Sequence, residues 1–130
     1  MNIIKQRANG DCGIASLAMF LEMTYEDVYV AFAKLDAVTR GKAGTHGYEV
    51  IAAAKSLGCK LTPTRKYDLD DDEGVLRVRW NSGERAKTGG HWVAIKAGLI
   101  LCPSDALAVP WREYMERFDG RPCSLLKGLI

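Results

Sequence analysis

The sequence predicts a single α+β domain, because the period of its apolar residues changes once along the chain and turn residues punctuate both halves. The first half repeats apolar residues at helical spacing, and the second alternates them with polar ones as strands do. With 130 residues, 48% of them hydrophobic, folding should bury about two-thirds of the surface that the unfolded chain exposes, so one core and one site are expected within residues 1–130.

The elements follow in order. Ile14, Leu17, Ala18 and Leu21 place a helix over about residues 12–23, with that stripe facing the core and Cys12 at its N-terminus. Thr24 followed three residues later by Asp27 has the form of a capping box, and Tyr25, Val28, Tyr29 and Phe32 supply the apolar stripe of a second helix. A Gly-rich loop over residues 41–47 carries His46, expected to be exposed, and leads to a third helix over residues 48–57, which Gly58 ends.

Beyond it, Leu76, Val78 and Trp80 alternate with Arg77 and Arg79, and His91, Val93 and Ile95 alternate with Trp92, Ala94 and Lys96, predicting two strands. Gly98 allows a tight turn into a strand over residues 99–102, which Pro103 ends because it has no N–H for a ladder. A hairpin carrying His91 results. Pro110 suits the first turn of a short helix through Phe118, and residues 123–126 return as a last strand.

Charge narrows the function. The net charge is only +2, and the basic clusters at residues 77–79 and 85–87 come without an aromatic platform or binding motif, so nucleic acid is not the expected partner. No segment has the pattern of a secretion signal or the length of a membrane span, which makes a cytoplasmic monomer the default expectation. Cys12, Cys59, Cys102 and Cys123 are then expected to be reduced thiols. None forms a Cys-x-x-Cys pair, and neither His46 nor His91 has a second histidine at ligand spacing, so no metal or other cofactor is expected. The acidic run at residues 68–73 lacks the glycine of a calcium loop and reads as a solvated loop.

One cysteine stands apart. A thiolate is the reactive form of cysteine, and Cys12 at a helix N-terminus meets unpaired N–H groups and the positive end of the dipole. His91 is the candidate to carry its proton. Attack on a carbonyl creates an oxyanion that needs fixed donors; the Gln6 side-chain amide and the Cys12 backbone N–H are the candidates. Asp105, one predicted hairpin beyond His91, is the candidate to orient the imidazole. Each residue also has a plainer reading: Cys12 as a packed small residue, His91 as a strand-end histidine bonded to backbone, Asp105 as a turn residue, and Gln6 as a surface residue near the terminus.

Taken in chain order, Gln6, the run Asp11-Cys12-Gly13-Ile14-Ala15-Ser16-Leu17-Ala18-Met19, the run His91-Trp92-Val93-Ala94-Ile95, and Asp105 resemble the bacteriocin-processing, double-glycine leader peptidases of the papain-like clan. The match spans nearly the whole chain, including residues 47–58 as the third helix and 111–120 before a final strand. It implies a papain-like cysteine peptidase fold, with N-terminal helices carrying Cys12 packed on a C-terminal antiparallel sheet carrying His91 and Asp105. Position by position, it implies nucleophilic attack by Cys12, acid–base work by His91, orientation by Asp105 and oxyanion stabilisation by Gln6. Asp105 is followed by Ala106 where the family usually has proline.

The expected function is therefore a cysteine peptidase-like hydrolase that cleaves a peptide or isopeptide bond through an acyl-thioester on Cys12, with a peptide or protein as substrate. Two other readings stay open: a transamidase or amidase using the same residues, and a catalytically idle module of the same fold that binds a peptide or host protein.

Overall fold

A computed structural model describes residues 3–7, 10–35 and 45–128. Helices α1 (Cys12–Leu21), α2 (Tyr25–Lys34) and α3 (Gly47–Ser56) precede strands β1 (Leu61–Thr64), β2 (Gly74–Trp80), β3 (His91–Lys96), β4 (Leu99–Cys102) and β5 (Leu107–Pro110). Helix α4 (Trp111–Arg117) and strand β6 (Gly120–Gly128) complete the chain. The strands form one antiparallel sheet in the order β1-β6-β2-β3-β4-β5. The α+β expectation holds. Most of the predicted Gly-rich loop lies outside the described residues.

Two cores lie on opposite faces of the sheet because strand side chains alternate. Val75, Trp92, Ala94 and Leu126 face α1, α2 and α3, whereas Leu76, Val78, Val93, Ile95 and Leu125 face α4 through Tyr114. Helix α1 departs from the single-stripe expectation: every residue from Gly13 to Phe20 is buried. Such a helix is held by neighbours on all sides. Ser16 Oγ donates to the Trp92 carbonyl at 2.9 Å, and Lys96 Nζ donates to the Phe20 carbonyl at 3.2 Å, so β3 grips the helix at its middle and near its C-terminal end.

The turn into α2 follows the capping logic: Glu22 adopts a left-handed conformation at φ 57°, and the Thr24 side chain accepts from the Asp27 N–H at 3.1 Å. Tyr25, Val28 and Phe32 are buried as predicted, but Tyr29 is 40% exposed and stacks on Tyr25. Ala97 (φ 51°) and Gly98 (φ 78°) make the two-residue turn of the β3–β4 hairpin, a conformation suited to the right-handed twist of its strands.

Two strands have no counterpart in the sequence reading. β1 and β5 are four-residue edge strands, each containing a proline, which weakens their signal and is tolerated only at an edge. Pro110 accordingly ends β5 and caps α4 instead of lying inside its first turn. No helix among the described residues is long and apolar enough to cross a membrane.

The contact between β2 and β6 leaves no room at Gly74, where a Cβ would collide with the Leu126 carbonyl and lie 3.1 Å from Lys127 Cα. These are backbone atoms that cannot rotate away. Gly74→Ala should destabilise the protein by about 3 kcal/mol, the upper end of overpacking costs, read as a lowered urea midpoint at unchanged m-value. An unchanged midpoint would mean that the sheet relaxes here.

Candidate active site

Cys12 opens α1, and the helix meets the sheet at the start of β3. Gly13 is required by that approach: a Cβ there would collide with the Thr45 hydroxyl and lie 3.3 Å from Trp92 Cδ1. The Trp92 indole is fixed in turn by donating to the Thr45 carbonyl at 3.1 Å. The thiol consequently reaches the Trp92 backbone N–H, one residue after His91.

Desolvation dominates the chemistry of that thiol. Cys12 keeps part of its surface open to solvent, yet burial raises its pKa from the ordinary 9.0. Hydrogen bonds from the Trp92 and Gly13 backbone and the charge of Arg77 act in the opposite direction, while Asp11 adds to the rise. Burial is the largest of these influences and leaves the thiol of the free protein above its ordinary value, the opposite direction from the one a helix N-terminus favours.

His91 is the first residue of β3, and its ring lies on the α4 side, tilted against Trp80 at 5.4 Å between centroids. Its Nε2 is 3.1 Å from Ser104 Oγ and 3.7 Å from Cys102 Sγ. Cys12 is not among its hydrogen-bond partners. With Nε2 engaged on that side, Nδ1 is the nitrogen left for other work, and the ring and the thiol converge on consecutive residues at one strand end.

Asp105 differs from expectation in a definite way. β4 stops at Cys102 before Pro103, the chain turns through Ala106 at φ 52°, and Asp105 falls past the end of the ladder. Ser104 therefore takes the place nearest His91 and donates to Asp105 Oδ2 at 3.4 Å, bridging ring and carboxylate. Cys102 Sγ lies 3.5 Å from the same oxygen. The carboxylate itself is held by both guanidinium nitrogens of Arg85, at 3.0 and 3.2 Å. Burial pushes this carboxyl up, but the Arg85 bonds and charge bring it to a net position below its usual range.

Gln6 lies in the segment before α1, where its N–H donates to the Pro103 carbonyl at 3.0 Å and ties the segment to the end of β4. Asp11 anchors the same segment from the other side: its Oδ2 accepts from the Arg7 N–H and from the Tyr25 hydroxyl, each at 2.7 Å. All four predicted residues thus lie on segments that meet at the β3–β4 end of the sheet. Ser104, Arg85 and Arg77 were not singled out from sequence. The only signal for Ser104 was its place beside Asp105, and the two arginines stood in the sequence only as members of basic clusters, their places at the site being set by strand pairing.

No protein-family model matches the chain, and no curated protein is similar enough to count as a relative. Solved structures are. A double-glycine motif protease from an AMS/PCAT transporter, solved in complex with the leader peptide, is 25% identical with a TM-score of 0.58, over 98% of this chain and 91% of that one. The peptidase domain of Streptococcus mutans ComA is 18% identical with a TM-score of 0.57, over 89% and 91%. A second Streptococcus ComA peptidase domain, from a bi-functional ABC transporter involved in a quorum sensing pathway, is 17% identical with a TM-score of 0.55, over 94% and 97%. The chain is thus similar in structure to double-glycine peptidase domains, as its motifs predict, and its α+β fold is the papain-like one.

Burial pulls the His91 imidazolium down from 6.5 to about 4, against the favourable charge of Asp105. The unfolded chain takes up this proton near pH 6.5 and the folded protein only near pH 4, so stability is full above pH 6.5 and is lost as pH falls through that window. The difference corresponds to about 3 kcal/mol. Urea melts at pH 7 and pH 4.5 should show the loss in the unaltered protein and a clearly smaller one in His91→Asn. Equal losses in both proteins would assign the acid sensitivity to other groups.

Proposed function

We propose that this chain, as a single domain over residues 1–130 acting in the cytoplasm, is a thiol hydrolase of peptide bonds with Cys12 as nucleophile and His91 as proton carrier. The observation that carries the reading is the placement of Cys12 at the opening of the strand whose first residue is His91, in a fold shared with peptidase domains. Such folds host many functions, so the weight rests on the site.

The chemistry starts from a neutral pair, since burial raises the thiol and lowers the imidazole. His91 Nδ1 takes the thiol proton as sulfur attacks the scissile carbonyl, forming the S–C bond and an oxyanion. The Gln6 amide and the Cys12 N–H are the proposed donors to that oxygen. Collapse breaks the C–N bond as His91 returns its proton to the leaving amine. Water, deprotonated by His91, then attacks the thioester and releases the acid and the free thiol. Ser104, between His91 Nε2 and Asp105, is proposed to hold the ring and its tautomer, so that Asp105 acts through the serine. An amine in place of water would make the same site a transamidase.

A second reading has its own support. Asp105 is engaged by Arg85, and no hydrogen bond joins Cys12 to His91, as in a module that binds a peptide without turning it over. Because catalytic contacts often tighten only around substrate, turnover decides between the two.

The first substrate to try is a peptide with a double-glycine junction. Cys12→Ala should abolish cleavage without unfolding, and Gln6→Ala should lower kcat/KM by roughly 10²–10³. Ser104→Ala should lower kcat about ten-fold at unchanged KM, the worth of one orienting hydrogen bond, and Ser104→Thr should restore most of it. Cleavage by Cys12→Ala would refute the mechanism, and tight binding without cleavage by the unaltered protein would establish the binding module. Without substrate, alkylation of Cys12 by iodoacetamide should keep rising with pH through 9 and change little in His91→Ala; a plateau below pH 8 that His91→Ala removes would instead reveal a preformed ion pair.

A further inference from the structure

The face of β2 and β6 next to Cys12 carries cations that have no acidic partner among the described residues. Arg77 and Arg79 are two residues apart on β2 and so share a face, the one that includes Val75 and packs against α1. Arg79 is the register partner of Arg121 on β6, which places two like charges directly opposite each other, an arrangement that weakens a sheet. No carboxylate pairs with any of these three arginines among the described residues, whereas Arg85 holds Asp105 and Lys87 holds Glu84. Arg121 donates to the Asn81 carbonyl oxygen, and only through the Asn81 amide does that contact lead on to Asp119.

Arg77 is the innermost of the three. It is half-buried, its guanidinium donates to the Gly89 carbonyl, and it lies 5.0 Å from the centroid of the Trp92 ring, its cross-strand neighbour. The same ring lies close to Gly13, beside the thiol, where a Cβ would come within 3.3 Å of it. A partly desolvated cation without a counter-ion is costly, and here it sits beside a second arginine. Its charge already acts on Cys12.

We infer that this face receives an acidic stretch of the peptide substrate, with a carboxylate near the scissile bond at Arg77 and further carboxylates at Arg79 and Arg121. The inference rests on Cys12 being the reacting group and assigns the substrate class to that site. An acidic segment would supply counter-charges to this face and relieve the Arg79–Arg121 repulsion on binding.

The test reads charge at the thiol without requiring turnover. Rates of Cys12 alkylation by anionic iodoacetate and neutral iodoacetamide are compared by mass spectrometry, with Cys59 of the same molecule as reference. The iodoacetate-to-iodoacetamide ratio should be several-fold higher at Cys12 than at Cys59 in low salt and should collapse towards it in 1 M salt. Arg79→Gln and Arg121→Gln should each lower it, Arg79→Gln the more because β2 lies between β6 and β3. A peptide of alternating Glu and Gly should slow iodoacetamide at Cys12, and its Lys-Gly counterpart should not. Equal ratios at the two cysteines, ratios unmoved by either substitution, or equal protection by both peptides would overturn the inference. A protein that keeps the charge preference but cleaves nothing would count against hydrolysis and leave the acidic-ligand face standing.

Discussion

Everything at the candidate site depends on how α1 is held. A helix buried from Gly13 to Phe20 has no solvent face along which to slide or roll, and small residues at Gly13, Ala15, Ser16 and Ala18 let it lie close against β3. The Ser16 bond to Trp92 and the Lys96 bond to Phe20 fix its position along the strand. Cys12 is therefore delivered to the Trp92 N–H by packing that involves no catalytic group. Close-packed interiors transmit such constraints because they contain few voids into which a side chain can retreat.

The same burial sets the electrostatics. It favours the neutral forms of both the Cys12 thiol, at the Trp92 N–H, and the His91 imidazole, on the α4 side. Around them the charged groups are sorted. Arg85 binds Asp105 on the α4 side, and Arg77 stands over Trp92 on the α1 side.

The Ser104 bridge shows how a small backbone event redirects a site. β4 ends at Cys102 before Pro103, and beyond it, at the turn through Ala106, the Asp105 carboxylate is held by Arg85. A hydroxyl can accept from one neighbour and donate to another, so Ser104 can link a ring nitrogen to a carboxylate that does not reach it directly.

Much of this was legible in the chain itself. Helical spacing from Ile14 to Leu21, the Thr24–Asp27 cap, the alternation around Val78 and Val93, and the Ala97-Gly98 turn are local signals, set by residues near one another in sequence, and they placed three helices and the central strands with His91 at a strand start. Gln6, Cys12, His91 and Asp105 stood out by residue type and order. Tertiary structure decided what depends on residues distant in sequence. It buried α1 on every side, added proline-bearing edge strands that only a neighbouring strand could stabilise, set Arg79 opposite Arg121, and gave Asp105 to Arg85 with Ser104 at the ring. Desolvation, which moved Cys12 and His91 away from the charged pair that residue type suggests, is a property of the packed interior and has no signature in the order of residues.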